Sequence, residues 1–274
     1  VKHFSRRGIP KYHQDHGPFR TKTKAGNHNS WRDAHEHEYD IVAQMDPDHK
    51  PFPNFLERTL GYFRDPNVAF VVAPQVYGNL NENFVTKGAA EHGYVFHGIV
   101  QRCGGGIGSP VLIGTNHLYR TTAWSQMGGY QDSIIEDHRT SITLNTLTNP
   151  ATGQKWRGVY TPDILSIGEG PTSWTDYFTQ QERWAYGIVE ILAKHSPKYL
   201  PKQSLKNALF YLGIELFYPS VAVTFLLSLL MCLVTTIVGA HSTLFLPGNF
   251  LLFGELWALG LLTQMLFFFW MQRF

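Results

Sequence analysis

The sequence predicts an α/β sheet domain followed by an amphipathic helix and a membrane-type helical hairpin. Three observations carry this reading. Short apolar runs alternate with helical stretches over residues 1–200. Two long apolar runs close the chain. Charge is segregated between these regions: of 23 Lys+Arg and 21 Asp+Glu, only Glu215, Glu255 and Arg273 lie among the 68 residues from Asn207 to Phe274. The mean hydropathy of −0.17 averages over this division and conceals it.

Composition excludes several classes. A chain of 274 residues is long enough for one large or two modest cores. A net charge of +2 lacks the basic excess of a nucleic-acid binder, so no nucleic-acid partner is expected. Cys103 and Cys232 are too few for a disulfide scaffold, and Cys232 falls in an apolar run. Among 13 histidines, His35, His37 and His49 invite a zinc reading, but no Cys/His spacing fits a structural zinc site. The start, Val1-Lys2-His3-Phe4, has neither an initiator Met nor a secretory apolar segment, so an interior segment of a longer protein is expected.

Residues 1–32 carry eight Lys/Arg against one acid, Asp15, which suits a solvated loop or attraction to anionic lipid or a diphosphate. Tyr39–Met45 is a short apolar run read as a strand, and it leads into Asp46-Pro47-Asp48. Two carboxylates one residue apart on a strand-end turn can reach one hard divalent cation and leave positions for phosphate oxygens. Such pairs are also common in ordinary turns. Val68–Ala73 reads as a second strand and Val111-Leu112-Ile113 as a third, each continuous enough to be covered on both faces. Phe84–Arg102 lacks Pro and reads as a helix with a glycine exit at Cys103-Gly104-Gly105-Gly106.

Ile134-Ile135-Glu136-Asp137-His138 places adjacent carboxylates at the end of an apolar run. Neighbouring acids can split their proton affinities and leave one as a base; the alternative is a helix N-cap at Asp137. Trp174–Leu192 reads as an amphipathic helix, with Trp174, Tyr177, Phe178, Gln181, Trp184 and Ile188 at spacings of three or four. Gln180 and Arg183 share neighbouring faces there; Arg is suited to a diphosphate and Trp to a sugar ring. The same aromatics also fit a membrane-interface helix.

Val221–Ala240 is 20 residues without charge, enough to span ~30 Å of hydrocarbon as a helix. The apolar character starts at Ala208, with a bend expected near Pro219. A second run, Phe250–Met271, is interrupted only by Glu255 and Gln264, across a link, His241–Asn249, that lacks Lys and Arg. Lys194, Lys198, Lys202 and Lys206 before the first run and Arg273 after the second orient both ends to the cytoplasm. A buried soluble helix pair is the alternative. Glu255 is a functional candidate by its place in an apolar run, or an interfacial residue.

In order along the chain, Asp46-Pro47-Asp48, Gly114-Thr115-Asn116, Glu136-Asp137 and Gln180-Gln181-Glu182-Arg183-Trp184 lead into apolar helices. With Lys24-Ala25-Gly26-Asn27 and Val71-Val72-Ala73-Pro74-Gln75, this set resembles the family-2 glycosyltransferases of the cellulose synthase type. The resemblance implies a GT-A-like mixed sheet flanked by helices. It divides the chain into a partial catalytic domain at 1–170, interfacial helices at 171–206 and two transmembrane helices at 207–274. It implies Mg2+ or Mn2+ at Asp46 and Asp48, with Asp137 as the base that deprotonates the acceptor hydroxyl and Glu136 beside it. Gln180, Arg183 and Trp184 then hold the diphosphate and the acceptor end, Gly114, Thr115 and Asn116 the acceptor loop, and Lys24 the donor side.

The implied activity is membrane-bound, inverting transfer from a nucleotide sugar, UDP-linked by the resemblance, to a growing polysaccharide. The implied location is multi-pass in the cell membrane (plasma or inner) with a cytoplasmic catalytic domain, alongside synthase partner subunits. The alternatives are transfer of one sugar to a lipid acceptor and an inactive glycan-binding subunit. Two features depart from the pattern: Ile135 stands where Thr is usual, and no acidic uridine-contact motif precedes Asp46.

Overall fold

The structure is a computed structural model that describes residues 3–239 together with Glu255, Ala258, Leu259 and Leu262. The chain divides into two compact units, Val1–Glu215 and Leu216–Phe274.

In chain order the first unit contains α1 (Lys24–His35), β1 (Ile41–Gln44), β2 (Lys50–Pro51), α2 (Phe55–Leu60), β3 (Val68–Val72), α3 (Phe84–Val95) and α4 (Gln101–Gly106). It continues with β4 (His117–Arg120), α5 (Thr121–Gln126), α6 (Glu136–Leu144), β5 (Arg157–Tyr160), β6 (Ser166–Ile167), α7 (Trp174–Lys194), α8 (Ser196–Tyr199) and α9 (Leu205–Glu215). The main sheet runs β1-β4-β3-β5, antiparallel at the first two pairings and parallel at β3–β5, hence mixed. All five β3 residues are buried, as a continuous apolar run requires. One face packs Phe70, Val72, Tyr119, Trp124 and Leu144 together, with Tyr119 and Trp124 stacked at 4.5 Å. The other packs Phe55, Ala73, Leu118 and Leu165. Helices thus cover both faces, as expected of the α/β class.

The predicted strand at Val111-Leu112-Ile113 is not one. Its backbone is satisfied by side chains instead: Gln101 takes both polar groups of Val111, donating to the carbonyl at 2.7 Å and accepting from the N–H at 2.9 Å. Leu112 N–H donates to Ser141 Oγ at 2.7 Å. The strand that fills the sheet is β4, whose His-Leu-Tyr-Arg composition hides it. His117 is buried against the Tyr130 hydroxyl at 2.8 Å, and Arg120 donates to the carbonyls of Val68, Phe63 and Asp65. Buried polar groups with partners cost little.

The helix expected over Phe84–Arg102 runs further, through Gly106. Asn83 caps it by accepting from Thr86 N–H, and one π-helical turn at Phe96–Val100 joins α3 to α4. The glycines expected as an exit lie inside α4. A Cβ on Gly104 would stand 2.7 Å from Phe210 Cζ and 2.8 Å from Pro110 Cα, so this glycine permits close packing. α7 forms over Trp174–Lys194, capped by Ser173, with Gly187, Ile188 and Ile191 inward and Trp174, Phe178 and Tyr186 exposed.

The second unit opens with α10 (Phe217–Gly239). α9 ends at Glu215 because the Pro219 ring would meet the carbonyl four residues earlier. Counting the described residues, no single helix is long and apolar enough to cross a membrane; Leu205–Glu215 and Phe217–Met231 do so only as a pair, by length and composition. Of the second apolar run only Glu255, Ala258, Leu259 and Leu262 are described, helical and exposed; the rest of it, Gln264 included, its link at His241–Asn249 and Arg273 lie outside the described residues.

Candidate active site

Lys24 opens α1, whose first turn is capped by Thr23 Oγ1 accepting from Gly26 N–H at 3.0 Å. This fixes the direction of the Lys24 side chain. Its ammonium donates to the Gly114 carbonyl, lies 2.5 Å from Asp46 Oδ1 and reaches Glu136 Oε1 at 4.0 Å. One cation therefore joins three segments distant in sequence.

Asp46 follows β1 and starts a turn in which His49 N–H donates to the Asp46 carbonyl at 3.0 Å. The Asp46 N–H donates to Thr115 Oγ1 at 3.0 Å. Asn116 adopts a left-handed φ of 54°, and its amide donates to the Pro74 carbonyl at 3.2 Å. Thr115 and Asn116 are buried and hold the loop, leaving Gly114 as the member that faces the carboxylates. A Cβ on Gly114 would stand 3.0 Å from Lys24 Nζ, 3.5 Å from Asp137 Oδ2 and 3.8 Å from Glu136 Oε1. Glycine keeps that space clear.

Glu136 and Asp137 are the first two residues of α6; the cap position is Ile135, so Asp137 is not the N-cap. Asp137 Oδ1 instead accepts from the His138 N–H at 2.8 Å. Burial raises the Glu136 pKa to about 7, with the Asp137 charge adding to it. Burial also raises Asp137, against the opposing His138 N–H and the Lys24 charge. A buried carboxylate that holds protons more tightly than usual is suited to accept one from a hydroxyl.

Asp46, Asp48 and His49 bring ligand atoms within 4.8 Å of one another. His49 Nδ1 lies 3.1 Å from Asp48 Oδ1, and its ring is fully buried against Gly168, where a Cβ would come within 2.3 Å of the ring. Its Nε2 is buried without a hydrogen-bond partner. Two carboxylates and one imidazole, whose Nε2 lacks a partner, fit a divalent cation. His28 and Gln44 were not legible as part of the site. Gln44 Nε2 approaches His28 Nε2 at 3.3 Å and Asp46 Oδ1 at 3.5 Å. Burial, then the Lys24 charge, lowers the His28 pKa to about 4, so His28 is neutral near pH 7 and can accept from Gln44.

Gln180, Arg183 and Trp184 project from one side of α7, with Gly187 a further three residues on. Burial raises the Tyr77 pKa, and the neighbouring Gln180 side chain opposes that rise. Trp184 is half-buried; Arg183 is exposed and makes no ion pair among the described residues. The helix touches the acid pair's own segment through Gly187, where a Cβ would stand 2.6 Å from Ile135 Cγ1 and 2.8 Å from Ile134 Cγ2.

Comparison with known proteins gives this geometry a context. The chain is 28% identical over 176 residues to a UDP-forming cellulose synthase catalytic subunit of Dictyostelium discoideum, covering 62% of this chain and 16% of that protein. It is 28% identical over 213 residues to probable glucomannan 4-beta-mannosyltransferase 14 of Arabidopsis thaliana, covering 74% and 38%. The chain thus spans well under half the length of these relatives. A solved mannosyltransferase from Pyrobaculum calidifontis, in complex with GDP-Man and Mn2+, shares the fold at a TM-score of 0.53 and 19% identity, over 87% of this chain and 61% of that one. The sequence profile described as glycosyl transferase family group 2 matches residues 41–271, so the chain belongs to that family.

Proposed function

We propose that this chain carries the metal and acceptor side of a membrane-bound, inverting glycosyltransferase that moves a sugar from a nucleoside-diphosphate donor to a growing polysaccharide. The observation that carries the reading is the convergence of Glu136 and Asp137, both raised in proton affinity by burial, with Asp46 and Gly114 around Lys24. Asp137 accepts the proton of the acceptor hydroxyl as its oxygen attacks the anomeric carbon opposite the departing diphosphate. Asp46, Asp48 and His49 would hold Mn2+ or Mg2+, which would supply positive charge to the departing diphosphate. Arg183, exposed and bidentate by nature, binds the same oxygens, and Trp184 offers its ring to the acceptor end. Lys24 neutralises the carboxylates between which donor and acceptor meet.

The exposed apolar side chains of α10, among them Val221, Phe225 and Leu226, support anchoring in a lipid bilayer. The donor base is tested by supplying both a UDP-hexose, as the sequence resemblance implies, and GDP-Man, which the solved neighbour holds. The experiment is Mn2+-dependent release of nucleoside diphosphate, with sugar incorporation, by the full-length protein in membranes. Polymer product supports the reading. A single sugar on lipid redirects it to a lipid acceptor, and no metal-dependent turnover with any donor overturns it in favour of a binding subunit.

A further inference from the structure

Glu215 is the acid of α9, the helix that leads toward the apolar tail, and it is wholly buried. Its Oε1 lies 3.1 Å from Nε2 of His138, and its Oε2 accepts from the Ser196 hydroxyl at 2.6 Å. His138 is also buried, with its ring edge-on to Tyr211 at 5.4 Å. The Tyr211 hydroxyl donates to the Pro110 carbonyl at 3.1 Å. His138 directly follows Asp137, and its main-chain N–H is the donor to Asp137 Oδ1. From the other side, the Ser141 hydroxyl donates to the Asp137 carbonyl at 2.8 Å while accepting from Leu112 N–H. The first turn of α6 is therefore clamped between the segment leading into Gly114 and the α8–α9 pair.

A buried acid and imidazole are an expensive way to join two helices. An apolar pair of equal volume gives comparable or greater stability, whereas removing one polar partner leaves a buried unmatched group. What the polar pair adds is direction: a hydrogen bond fixes the rotation of the residue beside Asp137 in a way that apolar packing does not. The groups facing this pair are Asp137 on α6, the Ser196 hydroxyl on α8 and Tyr211 on α9. Each is accounted for by a contact that holds geometry.

We infer that Glu215, through His138, is a positioning residue for the Asp137 carboxylate, so that α9 sets the geometry of the acid pair. This rests on the proposed role of Asp137 as the base.

The test uses the full-length protein in membranes and the variants Glu215→Gln and His138→Gln. Two readouts are taken: kcat with donor KM, and the pH midpoint for labelling of Asp137 by dicyclohexylcarbodiimide, located by mass spectrometry. The second needs no turnover. Each variant is expected to lose about ten- to a hundredfold in kcat with donor KM unchanged. The labelling midpoint is expected to move, and the double variant to be no worse than either single. Wild-type kcat and midpoint in folded variants overturn the inference, as does a fall in kcat matched by an equal rise in donor KM. If Glu215→Gln fails to fold, the double variant Glu215→Leu/His138→Leu, which removes both groups, takes its place under the same criteria. If the wild type transfers no sugar from any donor, the activity reading fails and the labelling midpoint alone decides the positioning role.

Discussion

Gly187 of α7 lies directly against Ile135: a Cβ there would stand 2.6 Å from Ile135 Cγ1. The helix bearing Gln180, Arg183 and Trp184 is thus seated on the residue that precedes Glu136 and Asp137. Ile135 is 8% exposed, so its apolar surface is used in that contact. In an open helix interior Gly→Ala is stabilising by about 0.5–1 kcal/mol. Here Gly187→Ala is expected to destabilise by about 1–3 kcal/mol through overpacking. Thermal or denaturant unfolding of the two proteins checks the sign.

Lys24 holds Asp46 with the cation that a metal would otherwise share. Lys24→Met removes that competitor. It is expected to tighten Mn2+ binding, measured by calorimetry, while lowering sugar transfer, because Asp46, Glu136 and the Gly114 carbonyl lose their common partner. Weaker Mn2+ binding contradicts this account of Lys24.

His49 belongs to the Asp46–Asp48–His49 group, its Nδ1 lying 3.1 Å from Asp48 Oδ1 and its buried Nε2 having no partner. His49→Ala is expected to lower Mn2+ affinity by about ten- to a hundredfold. Titration of Mn2+ against the variant, followed by the paramagnetic signal of free metal, reads this without any turnover.

The raised pKa of Glu136 has a consequence for pH. Its folded value of about 7 lies above its ordinary value of 4.5, so the folded state binds the proton more tightly than the unfolded chain. The stability this group contributes is complete below about pH 4.5 and is lost as pH rises through about 7. The metal-free protein is therefore expected to melt at lower temperature at pH 8 than at pH 5, and Glu136→Gln to flatten that slope.

How much of this was legible follows from the signals in the chain itself. β1 and β3 were visible because Tyr39–Met45 and Val68–Ala73 are apolar runs, and the sheet buries β3 throughout. β4 was invisible because His117 and Arg120 meet specific partners that no periodicity reports, while Val111–Ile113 looked like a strand yet is satisfied by Gln101 and Ser141. The acids and Lys24 were visible as motifs. What the sequence could not show is that Thr115 and Asn116 turn inward and only Gly114 faces the carboxylates, since burial of a loop depends on the elements above it. Glu215 stood out as a charge in an apolar stretch, but its partners His138 and Ser196 are distant in sequence.

The central claim is that Asp137 is the base for sugar transfer. Its most direct test is Asp137→Asn in the full-length protein, with donor binding followed by calorimetry and transfer by incorporation of labelled sugar. The variant keeps shape and burial but cannot take the proton. Donor binding is expected to be unchanged and transfer to fall by about 10²–10⁴-fold. Transfer at the wild-type rate contradicts the claim.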